Sequence, residues 1–451
     1  MLRIDIGQEP AEYCDGMSRR SFVQIGCAGL AALGLGDILR AKALSGNQKK
    51  STSVVLFWLD GGPGHMDMYD MKPNAPREYR GLWRPIQTNV PGIEVTELFP
   101  RQARVADKFS LVRSLYHNIG AHYPAAHYFL TGRHRSGPGT VGSFPAFSSI
   151  AAMAAGARRP GLPSYVAVPV ASTIGLRPGY FSGNFLGMHR DPFQTGGDPN
   201  AEKFEVNNIN LPSGLSVERL ESRRFLNERL DRLRREVDRS GVFESLDEFD
   251  RQAYELVVGS AARHAFDISA EDPRVRDLYG RHKLGQSALV ARRLIEAGST
   301  FVTVGLGGFD NHWNLESGMH NKGPQVDSSV AALIEDLDQR GLLDQTLVVV
   351  CGEFSRTPRM NNGHNGKGTP GRDHWGRSMT VLMAGGGVKG GQTIGSTNRL
   401  GEAPETSPFV VGDFHATVYD ILGVDPYMTF LDHSGRPIHA VENGSVIREL
   451  F

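Results

Sequence analysis

The chain has 451 residues, of which 40% are hydrophobic and 22% charged, and its formal net charge is zero. That is an ordinary globular composition, and without an overall charge excess it gives no sign of a nucleic-acid or anionic-membrane binder. The cysteines are Cys14, Cys27 and Cys351; once the N-terminal segment is removed, no intramolecular disulfide and no Cys-based zinc site can form.

Ser18-Arg19-Arg20-Ser21-Phe22 precedes a weakly apolar run from Val23 to Leu39, and Ala41-Lys42-Ala43 supplies a small-x-small cleavage site. Paired arginine, moderate apolarity and a small-residue site together describe a twin-arginine signal peptide over residues 1–43. The run is too short and too rich in glycine for a spanning helix, which needs ~20 strongly apolar residues. Cys27 lies too early in the run for a lipoprotein site. The expectation is a chain handed folded to the twin-arginine translocase, delivered to the periplasm or beyond, with no stable membrane span.

Past residue 50 the pattern alternates. Ser53 to Leu59 is a continuous apolar run that reads as a strand buried on both faces, ending at Asp60-Gly61-Gly62. Thr300 to Leu306, Thr346 to Cys351 and Met379 to Ala384 repeat it, with helical periodicity over Leu284 to Glu296 and Val326 to Gln339 between them. This predicts an α/β fold over residues 50–451, a mostly parallel sheet with helices on both faces in a single domain. Residues 180–280 read as a loop and helical insertion. Within it, Ser216 to Arg239 carries an apolar stripe that packs on the body, its heptads being too few for a coiled coil.

The chemistry falls where the expected strands end. Asp60 closes the first strand, Asp310 and His312 follow the strand from Thr300, and Glu353 follows the strand from Thr346. Asp373-His374 lies in a Gly-rich loop before the strand at Met379. Ligands of open α/β sheets bind beyond the carboxyl ends of strands. Taken singly, Asp60 or Asp373 also reads as a cap, and His374 as a hydrogen-bonded loop residue. Their recurrence at strand ends points to a divalent cation, because clustered carboxylates repel one another unless one compensates them. The mixed oxygen and nitrogen donors favour zinc or manganese, and calcium fits if mainly carboxylates bind. Asp373 is read either as a direct ligand or as the residue that orients a ligating imidazole.

Six stretches carry a resemblance: LDGGPGHMDMYDMKP (59–73), HYPAAHYFLTGR (122–133), GGFDNHWN (307–314), GEFSRTPR (352–359), GRDHWG (371–376) and HATVYDILGVD (415–425). They resemble the bacterial family known as domain of unknown function 1501 (DUF1501) and, more widely, the alkaline phosphatase and sulfatase superfamily. The resemblance implies an alkaline-phosphatase-like fold. Asp60 matches the superfamily's first metal carboxylate, and Asp310 with His312 its later Asp and His pair at shorter spacing. Glu353 stands where an Asp-His pair is usual, and His374 matches the late metal-site histidine. Pro124 and Leu130-Thr131-Gly132-Arg133 fit the sulfatase nucleophile frame, which puts His122 at the nucleophile position.

Histidine cannot become formylglycine, so that alignment excludes the standard sulfatase mechanism. His122 is read as a base, a ligand or a phospho-histidine carrier. His127, five residues on, reads equally as a second site residue and as a buried helix residue. Arg356, Arg133 and Arg372 are candidates to grip anionic oxygens, each also able to form a structural ion pair. The expected function is an exported metal-dependent hydrolase of phosphate or sulfate esters. The alternatives are a non-catalytic protein with the same fold and a phospho-group transferase using His122.

Overall fold

The computed structural model describes residues 52–134, 144–206, 256, 259–432 and 434–451. The chain divides into two units, Met1–Lys50 and Ser51–Phe451. Arg19, Arg20 and the expected signal lie outside the described residues, as does the helical stretch 216–239. No helix among the described residues is long and apolar enough to cross a membrane.

One sheet organises the second unit. Its strands are β1 (Ser53–Asp60), β2 (Phe109–Tyr116), β3 (Tyr165–Val168), β4 (Phe193–Gln194), β5 (Phe301–Gly307), β6 (Thr346–Cys351), β7 (Met379–Ala384), β8 (Gln392–Ile394) and β9 (Phe409–Val410). They lie in the order β8-β2-β7-β6-β1-β5-β3-β4, with β9 also paired to β2. The central strand is β1, parallel to β5 with Asp60 opposite Gly307, and parallel to β6 with Trp58 opposite Cys351. Only β7 is antiparallel to its neighbours β6 and β2. It follows β6 without an intervening crossover helix, so the chain returns in the opposite direction. That reversal sets the amino end of β7 beside the carboxyl ends of β1, β2, β5 and β6.

All of β1 is buried, because both faces of the sheet are covered. Successive side chains point to opposite faces. Val55, Phe57 and Leu59 join a core with Leu289 and Leu294 of α5 (Lys283–Ala297) and with Val330 and Leu333 of α6 (Leu315–Gln339). Val54, Leu56 and Trp58 join another with Phe129 of α1 (His122–Thr131), Phe147 of α2 (Phe147–Ala155) and Phe414 of α7 (Val411–Leu422). Each such side chain contributes roughly 1.5–3 kcal/mol by leaving water. Two short helices, α3 (Ser260–Phe266) and α4 (Pro273–Tyr279), precede α5. The boundaries follow local chemistry: Asp272 accepts from the Arg274 N–H at the start of α4, with Pro273 in the first turn. His282 accepts from the Gly285 N–H at the start of α5, and Gly132 at φ +70° ends α1.

Candidate metal centre

The loops beyond β1, β5 and β6 pack backbone to backbone. Gly61 follows β1 at φ +106°, and a Cβ there would lie 2.7 Å from the Asp310 nitrogen, so the position requires glycine. Its N–H donates to both carboxylate oxygens of the fully buried Glu353, at 3.1 Å each. Beyond β6, Ser355-Arg356 pairs antiparallel with His374-Trp375, setting His374 opposite Arg356. In this way β1, β5, β6 and the chain entering β7 deliver their polar residues to one sheet edge. His122, in the first turn of α1 after β2, completes the set.

Asp310 is the hub. Its Oδ1 lies 3.0 Å from His312 Nε2, 3.3 Å from His374 Nε2 and 2.6 Å from Arg356 Nη2. Its Oδ2 lies 3.2 Å from His122 Nε2. The other nitrogen of each imidazole is anchored: His374 Nδ1 on the Gly120 carbonyl at 2.9 Å, His312 Nδ1 on Asp373 Oδ1 at 2.7 Å, and His122 Nδ1 on Glu353 Oε1 at 2.7 Å. A carbonyl only accepts, so His374 Nδ1 carries the proton. A carboxylate faces each ring nitrogen of His312 and His122, and the nearer one, at Nδ1, takes the proton of the neutral form.

The Nε2 lone pairs of His312 and His374 then face each other at 2.9 Å, both beside Asp310 Oδ1. Three acceptors aimed at one another are repulsive, and a cation among them removes the conflict. His122 Nε2 is buried, with Asp310 Oδ2 beside it but not in hydrogen-bond geometry. His122, Asp310 and His374 offer ligand atoms all within 4.8 Å of one another. The donor set of imidazole nitrogens and a carboxylate fits a zinc- or manganese-like ion.

Charge balance follows the same geometry. Burial opposes ionisation of Asp310, but His122, His374 and Arg356 around it hold its carboxyl well below the usual range. Burial also disfavours a charged His122; the carboxylates of Asp310 and Glu353 outweigh it and push the imidazole up to about 9. Burial, then the neighbouring Glu353, push Asp60 up to about 7.

The structure brings together Asp310, His312, His374, His122, Glu353, Arg356 and Asp373. Asp60 lies at the same sheet edge but, among the described residues, belongs to no group of ligand atoms; its oxygens accept from Trp58 Nε1 at 3.3 Å and the Ile174 N–H at 2.8 Å. Glu353 likewise turns to Gly61 and His122.

The arginines take the ion-pair alternative of the sequence reading. Arg356 is 1% exposed and spends its donors on Gly62 O at 2.9 Å, Gly61 O, Arg372 O and Asp310. It fastens the site instead of reaching into it. Arg372 is fully buried against Asp67, at 2.9 and 3.2 Å. Arg133 binds His439 O and Glu442. His127 is buried, its Nδ1 on Arg133 O at 3.0 Å. His364, absent from the sequence reading, offers ligand atoms with His312 and Asp373. Its one sequence signal is a histidine within the Gly- and Asn-rich run 361–371.

The DUF1501 family model matches residues 51–451, the whole of the second unit. The chain belongs to the DUF1501 family. The family is described as proteins of unknown function. No curated protein matches this DUF1501 chain. Among solved structures it is similar to the PsFucS1 sulfatase from Pseudoalteromonas sp., at 13% identity and TM-score 0.38, covering 92% of this chain and 78% of that one. It is similar to the phosphonate monoester hydrolase SpPMH from Silicibacter pomeroyi, at 12% identity and TM-score 0.35, covering 88% and 76%. An alkaline phosphatase superfamily protein from Vibrio parahaemolyticus gives 11% identity and TM-score 0.37, covering 84% and 67%. Likeness at this level transfers no activity to the DUF1501 chain.

Proposed function

We propose that the chain is an exported, metal-dependent hydrolase of phosphate or sulfate esters. The observation that carries this reading is the set of imidazoles pinned at Nδ1 with their Nε2 atoms turned toward Asp310. Asp310, His312 and His374 would hold one divalent cation, zinc or manganese by donor type. Such an ion supplies Lewis acidity to an ester oxygen and to water. Asp373 fixes the tautomer of His312, and the Gly120 carbonyl fixes that of His374. Arg356 holds Asp310 in place from behind.

His122 is the base. Glu353 takes its Nδ1–H, and a cation beside Asp310 would offset the carboxylates that raise this imidazole, leaving the Nε2 lone pair to receive a proton from the attacking water. The same buried nitrogen favours a second reading, a phospho-group transferase in which Nε2 attacks the ester phosphorus, the P–O bond breaks, the alkoxide leaves as the alcohol after taking a proton from solvent, and the phospho-group passes from Nε2 to an acceptor. The anionic substrate meets the cation itself, since the arginines near the site are committed to protein acceptors.

The test is metal analysis of the exported protein together with turnover of a panel of phosphate and sulfate esters. Asp310→Ala and His374→Ala are expected to lower metal content and thermal midpoint together, since bound metal stabilises the folded state. His122→Asn is expected to keep fold and metal and to lose hydrolysis. Variants of Asp310 and His374 that bind metal as the parent does would overturn the reading. A stable phospho-histidine lost in His122→Asn would select the transferase.

A further inference from the structure

We propose a second, outer cation site formed by His364, Asp373 and the Nδ1 side of His312. It rests on the metal-centre reading above only in that His312 is shared; His364 and Asp373 are its own. Ligand atoms of the three residues lie within 4.8 Å of one another, and the rings of His312 and His364 stand 5.4 Å apart at 63°.

His364 and Asp373 each keep an atom free for a ligand. Asp373 turns Oδ1 to His312 Nδ1 at 2.7 Å and to Asn361 Nδ2 at 3.2 Å. Its Oδ2 and both ring nitrogens of His364 have no hydrogen-bond partner among the described residues. Neither residue is fully buried, so this costs little in the empty protein and leaves both able to bind.

The loop that carries His364 is held against the inner cluster. Asn361 Oδ1 accepts the N–H groups of Gly363 at 2.9 Å and Gly371 at 3.0 Å. The Asn361 N–H donates to Gly371 O at 2.9 Å, and the Asn314 N–H to Thr369 O at 3.0 Å. A Cβ on Gly371 would lie 2.3 Å from the His312 backbone, and one on Gly363 would strike the Gly368 carbonyl. These glycines let the loop close on residues 311–314, which keeps His364 beside His312.

Two imidazole nitrogens and one carboxylate oxygen leave coordination positions open, as catalytic and not structural centres do. The set suits zinc, manganese or another borderline divalent ion. Binding displaces the proton between His312 Nδ1 and Asp373 Oδ1, which passes to solvent. His312 then presents one nitrogen to each centre, and the pair becomes a two-cation site.

The experiment strips the full-length protein with a chelator, saturates it with zinc, removes the excess and counts zinc per chain by elemental analysis. Circular dichroism verifies that each variant is folded. The parent is expected to hold two ions, and His364→Ala one. Asp373→Asn, which keeps an oxygen for His312 Nδ1, is also expected to hold one. Equal counts in the parent and both variants overturn the outer site, whether the count is one or two. A single ion lost in His364→Ala and retained in Asp310→Ala keeps the outer site and overturns the inner reading. No zinc in the parent overturns both.

Discussion

Replacing Arg356 by Met tests whether this arginine fastens the site or binds substrate. The side chain is 1% exposed, and its guanidinium bonds Gly62 O, Gly61 O, Arg372 O and Asp310. Met fills much of the volume but donates nothing. The carbonyls of Gly61 and Gly62, both buried, lose their donor. An unsatisfied buried acceptor costs about 1–3 kcal/mol, so the pair costs about 2–6 kcal/mol. The Asp310 side chain is 43% exposed, so water screens its loss, adding about 1 kcal/mol or less. The expected destabilisation is about 2–7 kcal/mol. Urea unfolding of parent and variant, both chelator-treated, measures it as a lower midpoint at unchanged slope. A loss under about 1 kcal/mol, with raised KM and unchanged kcat, would refute the fastening role and return Arg356 to substrate binding.

Two further outcomes follow from the same chemistry. The Asp60 carboxyl is raised from 3.8 to about 7, so it adds stability fully below about pH 4 and loses it as pH rises through 7. Asn does not ionise, so chelator-treated Asp60→Asn is expected to be more stable than the parent above pH 7, with the gap closing toward pH 4. Parallel stability–pH curves would contradict this. For export, changing Arg19 and Arg20 together to Lys is expected to leave the precursor in the cytoplasm, read by fractionation; unchanged export would remove the twin-arginine reading.

Strands β2, β3, β8 and β9 were not read from the sequence; β1, β5, β6 and β7 were legible because each is largely buried and so needs an apolar run, as in Val54 to Leu59. The direction of β7 was not. An apolar run reads the same whichever way it enters the sheet, and its antiparallel pairing with β2 and β6 depends on the loop that returns the chain. The short strand β4 is two residues long and carries no periodicity to find.

The residue types of the candidate site were equally visible. Asp310, His312, Glu353 and His374 stand out as polar residues next to strand ends, and the sheet does gather them at one edge. Sequence alone could not say which way their side chains turn. Asp60 and Glu353 look alike beside the others, yet the fold gives Asp60 to Trp58 and Ile174, and Glu353 to Gly61 and His122. The arginines show the same limit from the other side. A guanidinium beside carboxylates reads as an anion grip, but burial among carbonyls commits its donors to the protein.

By itself, then, the sequence determined the elements that local physics dictates: apolar runs that must be buried, turns that need glycine, and charged groups that cannot lie in those runs. Which of those groups meet was decided by tertiary structure. His122 and Glu353 are 231 residues apart in sequence, and His364 with its single sequence signal lies beside His312. Contacts over such separations depend on strand order and loop closure. Neither leaves a periodicity in the chain, because each is fixed by the packing of the whole sheet and not by neighbours in sequence.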